Sequence, residues 1–243
     1  WGDVDNDGLT DGYLCRRGPN HLWRQQPDGG WSDMTQTAHV DCGNADTRDC
    51  FFLDADHDGD LDLFLVNADA PLELLNNNRD GTFQPLAVTS GLAHEGRAAR
   101  AIIPTDIDGD RDVDLMVLYA EPPHEIFLND RLWQYRAATG FDALRATPIV
   151  ATVSVDTNVD GRPELSTLAP HGDLQRWESD KSGTWQPTLL LQLPQISASE
   201  APPQSTAFPH LAVLDVTGDG EPEVIVSTAR AWAPPTAPPA ADR

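Results

Sequence analysis

The chain has 243 residues, enough for a substantial core, and 16 Lys and Arg stand against 39 Asp and Glu for a formal charge of −23. That balance excludes a surface built to neutralise a nucleic-acid backbone or to dock on anionic lipid, and no apolar run reaches the ~18 residues of a membrane span. Hydrophobic content of 40% excludes a wholly disordered acidic chain, while 20 Pro, 18 Gly and no sustained 3.6-residue period predict an all-β fold of short strands and turns.

The chain opens at Trp1 without a leader, as a processed or a partial chain would. Acidic residues then follow at once. Asp3, Asp5, Asp7 and Asp11 stand at positions 1, 3, 5 and 9 of a nine-residue segment, 3–11. The spacing returns as Asp54, Asp56, Asp58 and Asp62 in 54–62, and as Asp106, Asp108, Asp110 and Asp114 in 106–114. A fourth copy, 156–164, has Asp156, Asn158, Asp160 and Glu164; a fifth, 215–223, has Asp215, Thr217, Asp219 and Glu223. The copies begin 51, 52, 50 and 59 residues apart, a period that marks a repeat architecture.

Four carboxylates within nine residues repel one another unless a cation joins them. Positions 1, 3 and 5 aim side-chain oxygens inward from a tight turn. Position 7 offers a backbone carbonyl, from Leu9, Asp60, Asp112, Arg162 or Glu221, and position 9 returns a carboxylate able to bind in bidentate fashion. Six to eight hard oxygens of this kind suit Ca²⁺ better than Mg²⁺, and the absence of Cys or His among them argues against zinc. Up to five structural calcium ions are expected. Gly8, Gly59, Gly161 and Gly220 occupy position 6, where a sharp turn calls for positive φ. The third copy departs, with Arg111 at position 6 and Gly109 at position 4, and is expected to be the least regular. Plain solvated Asp-Gly turns are the alternative, and five copies in register weigh against it.

An EF-hand would need Glu at position 12 and flanking helices. Here the flanks read as strands: Phe51-Phe52-Leu53, Ala151–Val155 and Leu211–Leu214 before the loops, and Leu63–Val66, Leu115–Leu118 and Val224–Ser227 after them. Further along each repeat comes a hairpin: His21–Arg24 then Asp28-Gly29-Gly30-Trp31, Leu72–Asn76 then Asp80-Gly81-Thr82-Phe83, Glu125–Asn129 then Leu132–Tyr135, and Leu174–Trp177 then Gly183-Thr184-Trp185. Two strands around each loop plus this hairpin make a four-stranded antiparallel sheet, a propeller blade. The aromatics Trp23, Trp31, Phe83, Trp133, Trp177 and Trp185 recur at equivalent places, which favours packing between blades over ligand stacking.

These loops at blade spacing, with Gly18-Pro19-Asn20-His21-Leu22-Trp23 leading to Asp28-Gly29-Gly30-Trp31, resemble the FG-GAP/VCBS repeat family, which includes the integrin α-subunit propeller and many secreted bacterial proteins. The resemblance implies a calcium-bearing β-propeller, commonly of about seven blades, working outside the cytoplasm (secreted, at the cell surface or in the periplasm), and it implies no single activity. About four and a half blades are legible in 1–230, which points to part of a longer propeller or to an edge covered by a partner. Residues 231–243 read as a Pro/Ala-rich tether, and 193–208 as a surface insertion.

An extracellular setting makes a disulfide between Cys42 and Cys50 reasonable, leaving Cys15 odd. No catalytic motif is present, and the seven His are scattered. The expected function is a calcium-stabilised interaction, assembly or adhesion module with a protein partner. The alternatives are a lectin-like propeller binding a glycan, and an accessory domain of a secreted enzyme. Five divalent ions would offset ten negative charges and leave the surface acidic enough to favour a basic partner face.

Overall fold

The computed structural model describes residues 1–87, 90–92, 97, 99–130, 134–180, 183–193, 210–220 and 222–227. The insertion expected at 193–208 and the tether at 231–243 fall almost wholly outside these residues, as do Trp133 and Glu221.

Seventeen strands and two short helices follow one another among the described residues. The first sheet has three strands, β1 (Gly12–Leu14), β2 (His21–Gln25) and β3 (Trp31–Asp33), in that order. Helix α1 (Thr35–Ala38) leads into a four-stranded sheet of β4 (Thr47–Leu53), β5 (Asp62–Asn67), β6 (Glu73–Asn77) and β7 (Phe83–Pro85). A third sheet repeats the plan with β8 (Ala99–Thr105), β9 (Asp114–Tyr119), β10 (Glu125–Asn129) and β11 (Tyr135–Ala137). After α2 (Asp142–Ala146) comes a fourth, with β12 (Ala151–Val155), β13 (Glu164–Leu168), β14 (Asp173–Ser179) and β15 (Trp185–Gln192). Strands β16 (His210–Leu214) and β17 (Glu223–Ser227) pair as the last sheet. Every described pairing is antiparallel and joins sequence neighbours, so each sheet is a meander.

The core lies between sheets. One cluster joins Leu22 and Val40 to Leu63, Leu65 and Phe83; the next joins Phe64, Leu74 and Phe127; a third joins Met116, Leu144, Leu165 and Trp177; a fourth joins Leu168 and Leu174 to Leu211 and Val226. Strands β5 and β9 are buried on both faces, which accounts for their continuous apolar runs. The first strands of successive four-stranded sheets, β4, β8, β12 and then β16, lie side by side. They border a cavity of about 640 Å³ carrying Arg48, Arg100 and His210. Packed four-stranded antiparallel sheets agree with the all-β repeat fold that the sequence predicts, and no closed barrel is formed among the described residues.

The packing role expected of the aromatics holds for Phe83, Trp177 and Trp185, each at most 6% exposed. It does not hold for Trp23 and Trp31, which are 38% and 44% exposed. They lie on the face of the first sheet turned away from the second. Trp1 joins them, its ring 6.2 Å from that of Trp31 and pressed against Gly12, where a Cβ would meet Trp1 at 2.9 Å.

A disulfide between Cys42 and Cys50 is not formed: all three thiols are free. Cys42 enters a turn at φ 53° and points its sulfur at the Tyr13 hydroxyl, 3.7 Å away, and at the Val40 carbonyl.

Candidate metal centres

Four acidic segments become the turn between the first and second strands of a sheet, while the one at 3–11 is closed by a bridge between Gly2 and Asp11 ahead of β1. Position 1 builds the turn. The two carboxylate oxygens of Asp54 accept N–H from Asp58 and Gly59, both at 3.0 Å. Asp3 does the same with Asp7 and Gly8, and Asp156 with Asp160 and Gly161. The side chains of Asp7, Asp58, Asp110 and Asp160 then each accept the N–H two residues on. These are the local side-chain-to-backbone bonds that make Asp a turn former, stacked here into one continuous loop.

Position 9 does something the spacing alone did not reveal. Asp62 accepts N–H from Ala55 on one oxygen and from Asn77, on strand β6, on the other, both at 3.0 Å. Asp114 repeats this with Ile107 and Asn129, and Asp11 with Val4 and Gln25. Glu164 and Glu223, one methylene longer, still reach the position-2 N–H of Thr157 and Val216. The residue expected to be a bidentate ligand is therefore first a buried brace between loop and third strand. Burial, reinforced by neighbouring loop carboxylates, pushes Asp62 and Asp114 up to about 7 against the pull of those hydrogen bonds.

Glycine at position 6 has positive φ in every loop that carries it, from 85° to 92°. Position 4 is left-handed too, in Asn6, His57, Gly109, Val159 and Gly218. The third loop keeps the common path: Arg111 takes φ 74°, and Asp106 accepts N–H from Gly109 and Arg111. The irregularity expected of it shows in which residue carries the strain and in one bond, since position 1 accepts from position 4 here and in the fifth loop and from position 5 in the other three.

Carboxylate oxygens converge in all five loops, mutually within 4.8 Å: Asp3, Asp5 and Asp11; Asp54, Asp56 and Asp58; Asp106, Asp108 and Asp114; Asp156, Asp160 and Glu164; Asp215, Asp219 and Glu223. Asp7, Asp62 and Asp110 lie in the same turns but outside these groups, and Asn158 and Thr217 hold position 3 of the fourth and fifth loops. At position 7, Leu9, Asp60, Asp112 and Arg162 sit where their N–H meets the position-5 side chain.

The chemistry fits a hard divalent cation. Both Asp5 oxygens are buried without a hydrogen-bond partner of good geometry, and burial raises that carboxyl's pKa despite the Arg24 guanidinium against it. Burial and then the neighbouring Asp110 charge likewise raise Asp108. Arg24, on β2, and Arg79, in the turn between β6 and β7, supply positive charge in the first and second loops.

Neighbouring loops are also tied to each other. Asn6 donates to Asp60 at 2.8 Å, and His57 Nε2 lies 3.3 Å from Asp112, each pair linking position 4 of one loop to position 7 of the next. Asn77 donates to the Val4 and Leu61 carbonyls, and Asn129 to those of Ala55 and Val113. These asparagines bridge two consecutive loops. Their signal in the sequence is an Asn closing the third strand of two successive repeats, 52 residues apart.

Residues 3–65 and 54–117 match the family model described as FG-GAP-like repeat, so the resemblance carried by the loop motif is borne out over that part of the chain. No curated protein matches. Among solved structures, the crystal structure of the V. cholerae biofilm matrix protein Bap1 is similar at 16% identity with a TM-score of 0.48. That match covers 93% of this chain and 33% of that one.

Proposed function

We propose that this chain, with its FG-GAP-like repeats, is a calcium-stabilised β-propeller segment acting outside the cytoplasm as an adhesion or assembly module. The observation that supports this reading is the fivefold recurrence of one loop in which three acidic side chains converge, four times at the turn between the first two strands of a sheet. In such a loop Asp, Asn and Glu oxygens would hold the ion, and the ion supplies charge neutralisation. The chain's own residues do the rest: position 1 shapes the turn, position 9 ties the second and third loops to the third strand, and position 4 of the first and second loops meets the next loop.

The role is structural because the loops connect strands whose apolar faces form the core between sheets. A ligand bound only by the folded form at a hundredfold excess over Kd adds about 2.7 kcal/mol per site, and several such sites rival the net stability of a domain. The product is a stiff, acidic arc, suited to display a surface to a basic partner in an extracellular assembly. Thermal melting with and without a chelator tests the reading. The melting temperature is expected to fall by ten degrees or more on chelation and to recover with added Ca²⁺; an unchanged melt contradicts it.

A glycan-binding reading has one observation in its favour. The free face of the first sheet carries exposed Trp1, Trp23 and Trp31, with His21 stacked on Trp23 and within 3.3 Å of Asp33. Aromatic rings beside polar groups suit the apolar faces of sugars. Binding on a glycan array that Trp31→Ala removes would support it, and silence across the array would dismiss it.

A further inference from the structure

The three cysteines belong to three different stretches of chain, yet two of them meet. Cys15 follows β1 at the inner end of the first sheet, and Cys50 lies within β4, the first strand of the second. Their segments run antiparallel. Arg17 bridges to Asp46, Thr47 donates its N–H to the Arg16 carbonyl at 3.2 Å, and Gly18 donates to Ala45 at 3.0 Å. On the other side of the two cysteines the Tyr13 and Phe52 rings meet edge to face at 6.5 Å. Cys15 and Cys50 are thus bracketed by contacts on both sides: each lies two residues from the Tyr13–Phe52 contact, and they lie two and four residues from the Arg17–Asp46 bridge, the difference falling where β4 bulges between Thr47 and Asp49. Their thiols are half-buried and influence each other: the neighbouring Cys50 raises the Cys15 pKa, and Cys15 lowers that of Cys50. Cys42 is engaged elsewhere, with Tyr13, the Val40 carbonyl and Glu73, and burial pushes its thiol up to about 12.

We propose that Cys15 and Cys50 form a disulfide that staples the first sheet to the second, with Cys42 remaining a free thiol. The contact with Cys15 favours the thiolate of Cys50, making it the attacking sulfur. Cys50 attacks a low-molecular-weight disulfide, displacing one thiolate and forming a mixed disulfide. Cys15 then loses its proton and attacks the Cys50 sulfur, releasing the second thiol. Two protein thiols are oxidised and one external disulfide is reduced to two thiols. The bond would close a loop of about 36 residues containing β2, β3 and α1, which the short first sheet otherwise holds through one apolar cluster and a few polar contacts. Nothing in this step depends on whether the acidic loops carry calcium.

The test is disulfide mapping of the whole chain. The folded protein is incubated with oxidised glutathione, blocked with a maleimide and digested without reduction. The expected result is a peptide joining Cys15 to Cys50, with maleimide on Cys42. The same link should form in Cys42→Ser, whereas Cys15→Ser should leave Cys50 as the mixed disulfide with glutathione and carry maleimide on Cys42 alone. Oxidation should raise the melting temperature by about 5 °C or more, and a reductant should reverse the gain. A peptide joining Cys42 to Cys50, or three blocked thiols in the folded oxidised sample, would overturn the proposal. Because the mapping reads a covalent bond, its failure leaves the calcium reading standing, and an inert chelator melt leaves the disulfide standing.

Discussion

The loops at 54–62 and 106–114 join equivalent strands of successive sheets, but they distribute glycine differently. The first has His57 at position 4 and Gly59 at position 6; the second has Gly109 and Arg111. All four residues have positive φ and both loops show the same brace at position 9, while position 1 accepts from positions 5 and 6 in the first loop and from positions 4 and 6 in the second. The backbone path is therefore set by the carboxylates, and glycine relieves strain at whichever of the two positions it occupies. The fifth loop has glycine at both, while the fourth places the β-branched Val159, 68% exposed, in the left-handed region.

If the brace dominates, removing it should cost the two loops alike and more than any other change in them. Asp62→Ala and Asp114→Ala each leave two buried N–H groups without acceptors, for an expected loss of about 3 kcal/mol. Urea denaturation at fixed calcium measures it, and a large loss in one variant only would break the equivalence. By the same logic Asp56→Ala and Asp108→Ala should cost similar amounts, contrary to the weaker third loop expected from Arg111.

The next effect concerns pH in calcium-free protein. Both brace carboxyls have pKa values raised to about 7 from 3.8, so the protonated form is favoured in the folded state. Their contribution is complete below about pH 4 and is lost as pH rises through 7, roughly 3 kcal/mol each across that interval. Melting temperature without calcium should fall between pH 4 and 8, and millimolar calcium should flatten the slope by supplying positive charge in place of the proton. A calcium-free melt that improves steadily over that range would contradict the assignment.

The smallest effect is the most specific. Val159→Gly should stabilise by about 1 kcal/mol and Arg111→Gly by roughly half that, since each removes a side chain from a left-handed position at some cost in unfolded-state entropy. Gly109→Ala should destabilise. Stabilisation by Gly109→Ala would mean that the third loop follows another path.

Much of this molecule was legible before any coordinates. The acidic spacing placed five turns, the apolar runs around them became β4, β5, β9, β12, β16 and β17, and Asp-Gly pairs marked the outer hairpins. What escaped were properties that no single residue type carries. Position 4 is left-handed with Asn, His, Gly or Val, so its geometry has no compositional mark. Trp31 and Phe83 occupy equivalent hairpin positions, yet only Phe83 is buried, because a neighbouring sheet covers its face. The cysteine contact was hidden by chain distance: Cys50 is eight residues from Cys42 and 35 from Cys15, but strand pairing outweighs proximity along the chain. Asn77 and Asn129 repeated in plain sight, and their role needed the adjacent loop to be seen.

The central claim is that convergent carboxylates in these loops hold calcium, and equilibrium dialysis with radioactive calcium tests it most directly. About five ions per chain are expected at millimolar calcium, with one fewer in Asp54→Ala and one fewer in Asp106→Ala. Less than one bound ion per folded chain, or a count that neither substitution lowers, would contradict it.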